Sequence, residues 1–207
     1  MSHYSEPDGL EKLLNVKTDK HLLSELYGLL SGSLYYKLSD VMICNSHKHI
    51  YPFIREHYDH GDFEKVSIDH LDMHHDMFNG NDALDCGNWL GHIKKEIPTR
   101  INWVTNPISR KVYGLTEPEF DSIRTDFSKL TDRVWDIVFL CKSSSWVPPH
   151  LDEYFCDLAK FLVLHGGNVK YEPSIMQSRW TKGYLEDIKS LQEEVKMLKE
   201  KMNREEK

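Results

Sequence analysis

The chain is 207 residues long, 40% hydrophobic, and carries a formal net charge of -7. That composition provides for one sizeable core with an appendage. Without a basic block it excludes a dedicated nucleic-acid binder, which needs clustered Lys and Arg to displace phosphate counterions. No apolar run approaches the length of a membrane span, and the polar start Met1-Ser2-His3-Tyr4-Ser5-Glu6 does not read as a signal peptide. The expectation is a soluble, cytoplasmic protein with no membrane partner. Cys44, Cys86, Cys141 and Cys156 are scattered without C-x-x-C spacing, and three of them lie in or beside apolar runs. They read as reduced, mostly buried thiols.

Residues 1 to about 19 are polar. Leu22, Leu23, Leu26, Leu29 and Leu30 then recur at helical spacing and predict a first helix, interrupted around Ser31-Gly32-Ser33. Val41-Met42-Ile43-Cys44 is a continuous apolar run and reads as a buried strand of a parallel sheet. Asn45-Ser46 opens a helix from His49 to about Tyr58, with Pro52 in the first turn, where a missing N–H is harmless. Val66 to Leu71 is the next strand. A short helix around Trp89 to Lys95 and a strand Ile101-Asn102-Trp103-Val104, closed by Asn106-Pro107, follow.

Phe120, Ile123, Phe127, Leu130 and Val134 step by three and four, which predicts an amphipathic helix. Ile137 to Cys141 reads as a fourth buried strand. Pro148-Pro149 starts a helix that carries Leu151, Tyr154, Phe155, Leu158, Phe161 and Leu162, and Val169-Lys170-Tyr171 is a candidate edge strand. Strands alternating with helices predict an α/β fold, a three-layer αβα arrangement around a mainly parallel sheet. The expected organisation is a polar segment and helix over 1–39, an α/β domain over 40–173 and a C-terminal helix over 174–207.

That C-terminal part differs in kind. Tyr184, Ile188, Leu191, Val195, Leu198 and Met202 keep a 4-3-4-3-4 spacing among Lys and Glu, about three heptads. With Ile188 and Val195 at a, Leu191 and Leu198 at d, and Glu194 and Lys199 complementary at g and e, residues 184–202 predict a parallel coiled coil. The implied partner is a second copy of the chain. The alternative is a single amphipathic helix docked on its own domain.

The most chemically loaded stretch is Val66-Ser67-Ile68-Asp69-His70-Leu71-Asp72-Met73-His74-His75-Asp76. Asp72, His74 and Asp76 alternate, so in extended backbone their side chains leave the same side. Carboxylate oxygens mixed with imidazole nitrogen suit Mn²⁺, Fe²⁺ or Zn²⁺ better than Ca²⁺, which takes oxygen alone. The bland alternative is a solvated acidic and histidine-rich loop. His47 follows the Val41 strand as the D-x-H-x-D follows the Val66 strand, and in a parallel sheet functional groups gather beyond the strands' carboxyl ends. Of the twelve histidines, His47, His49, His57, His60, His70, His74, His75 and His92 fall in this region, with His57 and His60 read as surface residues.

Asp72-Met73-His74-His75-Asp76 resembles the D-A-H-x-D signature of the ureohydrolase fold, the arginase and agmatinase group. The surrounding pattern is closer still to a poorly characterised ureohydrolase-like family that includes the peptide arginases. Cys44-Asn45-Ser46-His47-Lys48-His49-Ile50-Tyr51-Pro52-Phe53-Ile54 resembles that family's first motif, Gly87-Asn88-Trp89 its N-W element, and Ser143-Ser144-Ser145-Trp146-Val147-Pro148-Pro149 its strand followed by a proline-started helix. The resemblance covers about residues 40 to 165.

It implies an arginase-like αβα fold, His47, Asp72, His74 and Asp76 as manganese ligands, and metal-assisted hydrolysis of a carbon–nitrogen bond in a small-molecule or peptide substrate. His75 or His49 would then serve as proton shuttle. The family's second carboxylate pair, a D-x-D after a later strand, is absent: between Val104 and Ile137 no two aspartates stand in D-x-D spacing, and Asp121 and Asp126 lie inside the helical pattern. Either one ion is held, or His75, His49 or Asp69 complete a second site, or the site is degenerate. The acidic residue that grips guanidinium is also missing after Cys141, where Lys142 and serines stand, which disfavours free arginine. Trp89, Trp103 and Trp146 read as core or pocket wall, and Cys86, without a spaced base, as a buried thiol.

Overall fold

The structure, a computed structural model, describes residues 17–36, 39–61, 64–78, 83–112, 120–127, 130, 133–144, 147–171, 173–176, 193 and 197. The seam residues of the predicted coiled coil and Trp146 lie outside the described residues. Among the described residues no helix is long and apolar enough to cross a membrane.

The elements run α1 (Lys20–Tyr36), β1 (Asp40–Cys44), a 3-10 turn (His47–His49) into α2 (Ile50–Asp59), β2 (Val66–Leu71), α3 (Trp89–Glu96), β3 (Thr99–Val104), α4 (Pro107–Val112), β4 (Ser122–Arg124), β5 (Ile137–Cys141), a 3-10 turn (Pro149–Leu151) into α5 (Asp152–His165), and β6 (Val169–Tyr171). The strands form two three-stranded sheets, ordered β5-β1-β6 and β2-β3-β4, and every pairing is parallel. Parallel neighbours need a crossover; α3 supplies it between β2 and β3, and α5 carries the chain from β5 past β1 to β6 on the other side of it. This α/β architecture is compatible with a three-layer αβα fold. The single sheet expected from the strand pattern is instead two.

Each sheet has its own core. Val41, Ile43 and Cys44 of β1 pack with Leu30 and Leu34 of α1 and Leu158, Ala159 and Leu162 of α5. Ile68 of β2 and Ile101 of β3 pack with Ile54 of α2 and Trp89, Leu90 and Ile93 of α3, and Ile137 of β5 borders this second cluster. The sheets also meet through Asp69, whose Oδ2 accepts from the Trp135 indole at 2.8 Å, just ahead of β5, while its Oδ1 accepts from Asn102 at 2.8 Å.

Two expectations are corrected. The first helix runs unbroken through Ser31-Gly32-Ser33. Ser31 donates to the Tyr27 carbonyl at 2.7 Å, and buried Ser33 accepts the Trp135 N–H at 2.8 Å, so these polar residues are satisfied without ending the helix. The amphipathic helix expected from Phe120 is absent at its start, since residues 122–124 form β4 against β3. Asp121 exchanges backbone and side-chain bonds with Ile101, and Thr105 donates to the Arg124 carbonyl at 2.8 Å. The open side of β3 thus takes its hydrogen bonds from this segment, and the ladder overrides local spacing.

Candidate metal centre

β1 and β2 end at the same place although they belong to different sheets. Asp72 follows β2 directly; its N–H donates to the Val104 carbonyl at 3.2 Å and its carbonyl accepts the Trp103 indole at 3.0 Å, which pins it to the end of β3. Its Oδ1 accepts the His74 N–H at 2.8 Å, an Asx turn that folds the chain back. Asp76 adopts a left-handed φ of 49°, which Asp tolerates better than most residues, and is 2% exposed. Its carbonyl accepts the Leu90 N–H at 3.1 Å, and its Oδ2 accepts the Trp89 indole at 2.6 Å. α3 therefore locks this carboxylate from below. Among the described residues the other non-glycine with positive φ, Ser143 at 47°, sits just beyond β5 at the same edge.

His47 closes the group. Its Nδ1 lies 3.4 Å from Asp72 Oδ2 and 3.4 Å from Asp76 Oδ2. These three residues offer one ligand atom each, all within 4.8 Å of one another, and could hold a metal ion. Two donors about 2.1 Å from a shared ion at a tetrahedral angle stand about 3.4 Å apart, so the spacing fits.

The electrostatics show groups held together against their own repulsion. Burial and then the neighbouring Asp72 push the Asp76 carboxyl up to about 7. For Asp72, burial works the other way but loses to the hydrogen bond with His74 and to the nearby imidazoles, so its carboxyl is lowered. Burial disfavours the charged form of His47, yet the Cys141 thiol and the two carboxylates raise it to about 9. A cation is what this arrangement lacks least when His47 is protonated, and what a divalent ion would replace.

Of the residues named from sequence, His47, Asp72 and Asp76 come together. His74 stands beside them, its Nδ1 3.6 Å from Asp72 Oδ1, outside the converging group. His75 is half-buried, its Nδ1 accepting the Met77 N–H at 3.0 Å and its ring tilted on Phe78 at 4.2 Å. That bond makes Nε2 the protonated nitrogen of the neutral ring. His49 is exposed, on the 3-10 turn. Asp69 points to the opposite face of β2 and is engaged by Asn102 and Trp135. Trp89 and Trp103 are fully buried, as core and as indole donors to the site. Cys86 is exposed rather than buried, because it lies on the turn before α3.

Sequence reading missed two members. His70 is buried beneath the site, its Nε2 3.0 Å from the His74 carbonyl and 3.5 Å from Asp76 Oδ2, and burial lowers it to about 4, so it is neutral. The signal was present: Ile68, His70 and Asp72 alternate onto one face of β2. Cys141 was passed over as a core thiol. It is half-buried at the end of β5, in register with Cys44 of β1, and electrostatically linked to the His47 imidazole. No family model, curated protein or solved structure matches the chain. Fold and site define it as an α/β protein with a histidine–carboxylate group suited to a metal ion, set where two parallel sheets end together.

Proposed function

We propose that the chain is a metal-dependent hydrolase of the ureohydrolase-like fold, acting on a carbon–nitrogen bond in a guanidino or amide compound, small molecule or peptide. The observation that supports this is the convergence of His47 from the end of β1 with Asp72 and Asp76 from the end of β2. Manganese is the ion the resemblance implies, and the same donors accept Fe²⁺ or Zn²⁺. When bound, such an ion supplies Lewis acidity, polarising the substrate and lowering the pKa of water. The chain's own part is to fix the donors: Trp89 holds Asp76, Trp103 and the His74 N–H hold Asp72, and neutral His70 fills the space beneath without adding charge. In this reading His74 is the next donor in reach, and His75 is the group for proton transfer, since its Nε2 faces away from the bond that fixes Nδ1. Exposed His49 has the weaker claim. The same reading places the protein in the cytoplasm, in keeping with cysteines that form no disulfide among the described residues, and joins copies through residues 184–202.

One observation favours a second reading, a metal-binding assembly protein without turnover. The end of β5 carries Cys141-Lys142-Ser143, and the described residues offer a single metal-suited group. Elemental analysis of protein purified without chelator, together with a screen of guanidino and amide compounds, separates the two. The wild-type chain should hold one divalent ion, lost in His47→Ala and Asp72→Ala. Undiminished metal in both variants would overturn the site. Activity fully retained in chelator would remove the metal-hydrolase reading, and metal without turnover on any compound would favour the second.

A further inference from the structure

β1 and β5 each end on a cysteine, and the two are matched. The parallel register sets Cys44 beside Cys141, as it sets Met42 beside Phe139 and Ile43 beside Leu140. Neighbouring strands stand about 4.7–4.9 Å apart, and matched residues send their side chains to the same face. A disulfide spans Cα atoms about 4.4–6.8 Å apart, so this pairing puts the two thiols within bridging distance. The next backbone bond keeps the strands together, the Lys142 N–H donating to the Cys44 carbonyl at 2.9 Å. Both thiols are free in the structure. Cys44 is buried and donates to the Ser46 carbonyl at 3.2 Å, whereas Cys141 is half-buried, with Ser143 Oγ 3.4 Å from its sulfur. The other two cysteines lie elsewhere: Cys86 is exposed ahead of α3, and Cys156 within α5 donates to the Met176 carbonyl at 2.7 Å.

We propose that Cys44 and Cys141 are a redox-active pair, closed to a disulfide by hydrogen peroxide and opened by a dithiol, and that closure loosens the turn carrying His47. The Cys141 sulfur, the more accessible of the two, takes one oxygen of peroxide as the O–O bond breaks, giving a sulfenic acid and a water. The Cys44 sulfur then displaces that oxygen, which leaves as a second water with the Cys44 proton. The thiols have lost two electrons and peroxide has gained them; a dithiol returns them by exchange. Cys44 opens the turn Cys44-Asn45-Ser46-His47, and its S–H holds the Ser46 carbonyl. A sulfur bonded to Cys141 has no proton to donate, so the turn that aims His47 at Asp72 and Asp76 loses an anchor. The cross-link stands without the metal reading, and its effect on an ion rests on that reading.

Both arms of the test use the full chain. Reduced protein is exposed to hydrogen peroxide, the remaining thiols are alkylated, and the peptides are read by mass spectrometry. The Cys44 and Cys141 peptides of one chain should be joined, with Cys86 and Cys156 unlinked, and a dithiol should part them. Cys86→Ser should keep the cross-link, whereas Cys44→Ser should lose it and leave a sulfenic acid at Cys141 that a cyclic diketone traps. Cys44 and Cys141 both still alkylated after Cys86 has been oxidised, or cysteines joined in any other pairing, would overturn the pair. In the second arm the cross-linked chain should need about tenfold more Mn²⁺ than the reduced chain for the same thermal shift, an ordinary strength of coupling between two sites. Opening with a dithiol, followed by its removal, should restore the reduced response. Equal Mn²⁺ affinity in the two forms would overturn the loosening at His47. A cross-link formed in a chain that binds no Mn²⁺ in either form would overturn the metal reading and leave the disulfide standing.

Discussion

At the scale of residues, a metal ion would have to compete with protons for His47 and Asp76. Their ordinary values are 6.5 and 3.8; in this chain they stand at about 9 and about 7. Both are raised, so both contribute folding stability in the proton-bound form. Asp76's contribution fades as pH rises from 3.8 through about 7, and that of His47 from 6.5 through about 9. The same protons must leave before the donors can serve an ion. Apparent affinity for Mn²⁺ should therefore keep rising between pH 6 and pH 9, instead of levelling above the ordinary histidine value. At pH 7 binding should release on the order of one to two protons, read by calorimetry in two buffers of different ionisation enthalpy. An affinity flat above pH 6.5 with no proton release would mean that His47 is not a ligand.

At the scale of elements, the carboxyl ends of β1 and β5 are held from behind by α5. Lys142, buried just after β5, pairs with buried Asp152 at 3.2 Å and donates to the Ile175 carbonyl at 3.1 Å, tying the end of β5 to the start of α5 and to the 3-10 turn Pro173–Met176 that follows β6. Gly166 ends α5 against β1: a Cβ there would lie 2.7 Å from Val41 Cγ2, 2.8 Å from the Leu162 carbonyl and 2.9 Å from Val169 Cγ2. Gly166→Ala should cost about 1–3 kcal/mol by overpacking, read as a lower urea midpoint, with Gly91→Ala, whose nearest contact is an ordinary 3.9 Å, as the mild control. A midpoint unchanged in Gly166→Ala would show that the β1–β6 edge gives way freely. The buried strands were legible because Val41–Cys44 and Ile137–Cys141 are apolar throughout, and Asp72 because it continues the face of β2; Asp76 was named from an alternation that the structure breaks, and it joins the group through the Asx turn after Asp72 and its own left-handed backbone. β4 was not legible, since Phe120, Ile123 and Phe127 satisfy a helical period and the deciding bonds come from Ile101, twenty residues away. Cys141 was hidden for the same reason: nothing near it in sequence is a base, and only the pairing of β1 with β5 brings His47 to it.

At the scale of the whole molecule, the candidate metal ligands come from two sheets with separate cores. His47 extends β1, whose apolar residues pack with α1 and α5, while Asp72 and Asp76 extend β2, whose residues pack with α2 and α3. The ties across this boundary include Asp69 with Trp135 and the contact of Ile137 with the second cluster. An ion shared by His47 and the carboxylates would be another, and it would bind the folded chain only, since the unfolded chain does not hold these donors together. At a free ion concentration a hundredfold above the dissociation constant, such binding adds about 2.7 kcal/mol, about 5–10 °C in melting temperature for a chain of this size. The shift should appear with Mn²⁺, vanish in His47→Ala, and survive deletion of residues 184–207, because every residue of the candidate group lies before residue 80. The same truncation should lower the mass measured by light scattering if the heptads of the tail join two copies. Equal masses, both of one chain, would overturn the coiled-coil dimer. A metal-induced shift that disappears with the tail would mean that the ion acts on assembly, and that the two sheet ends do not hold it.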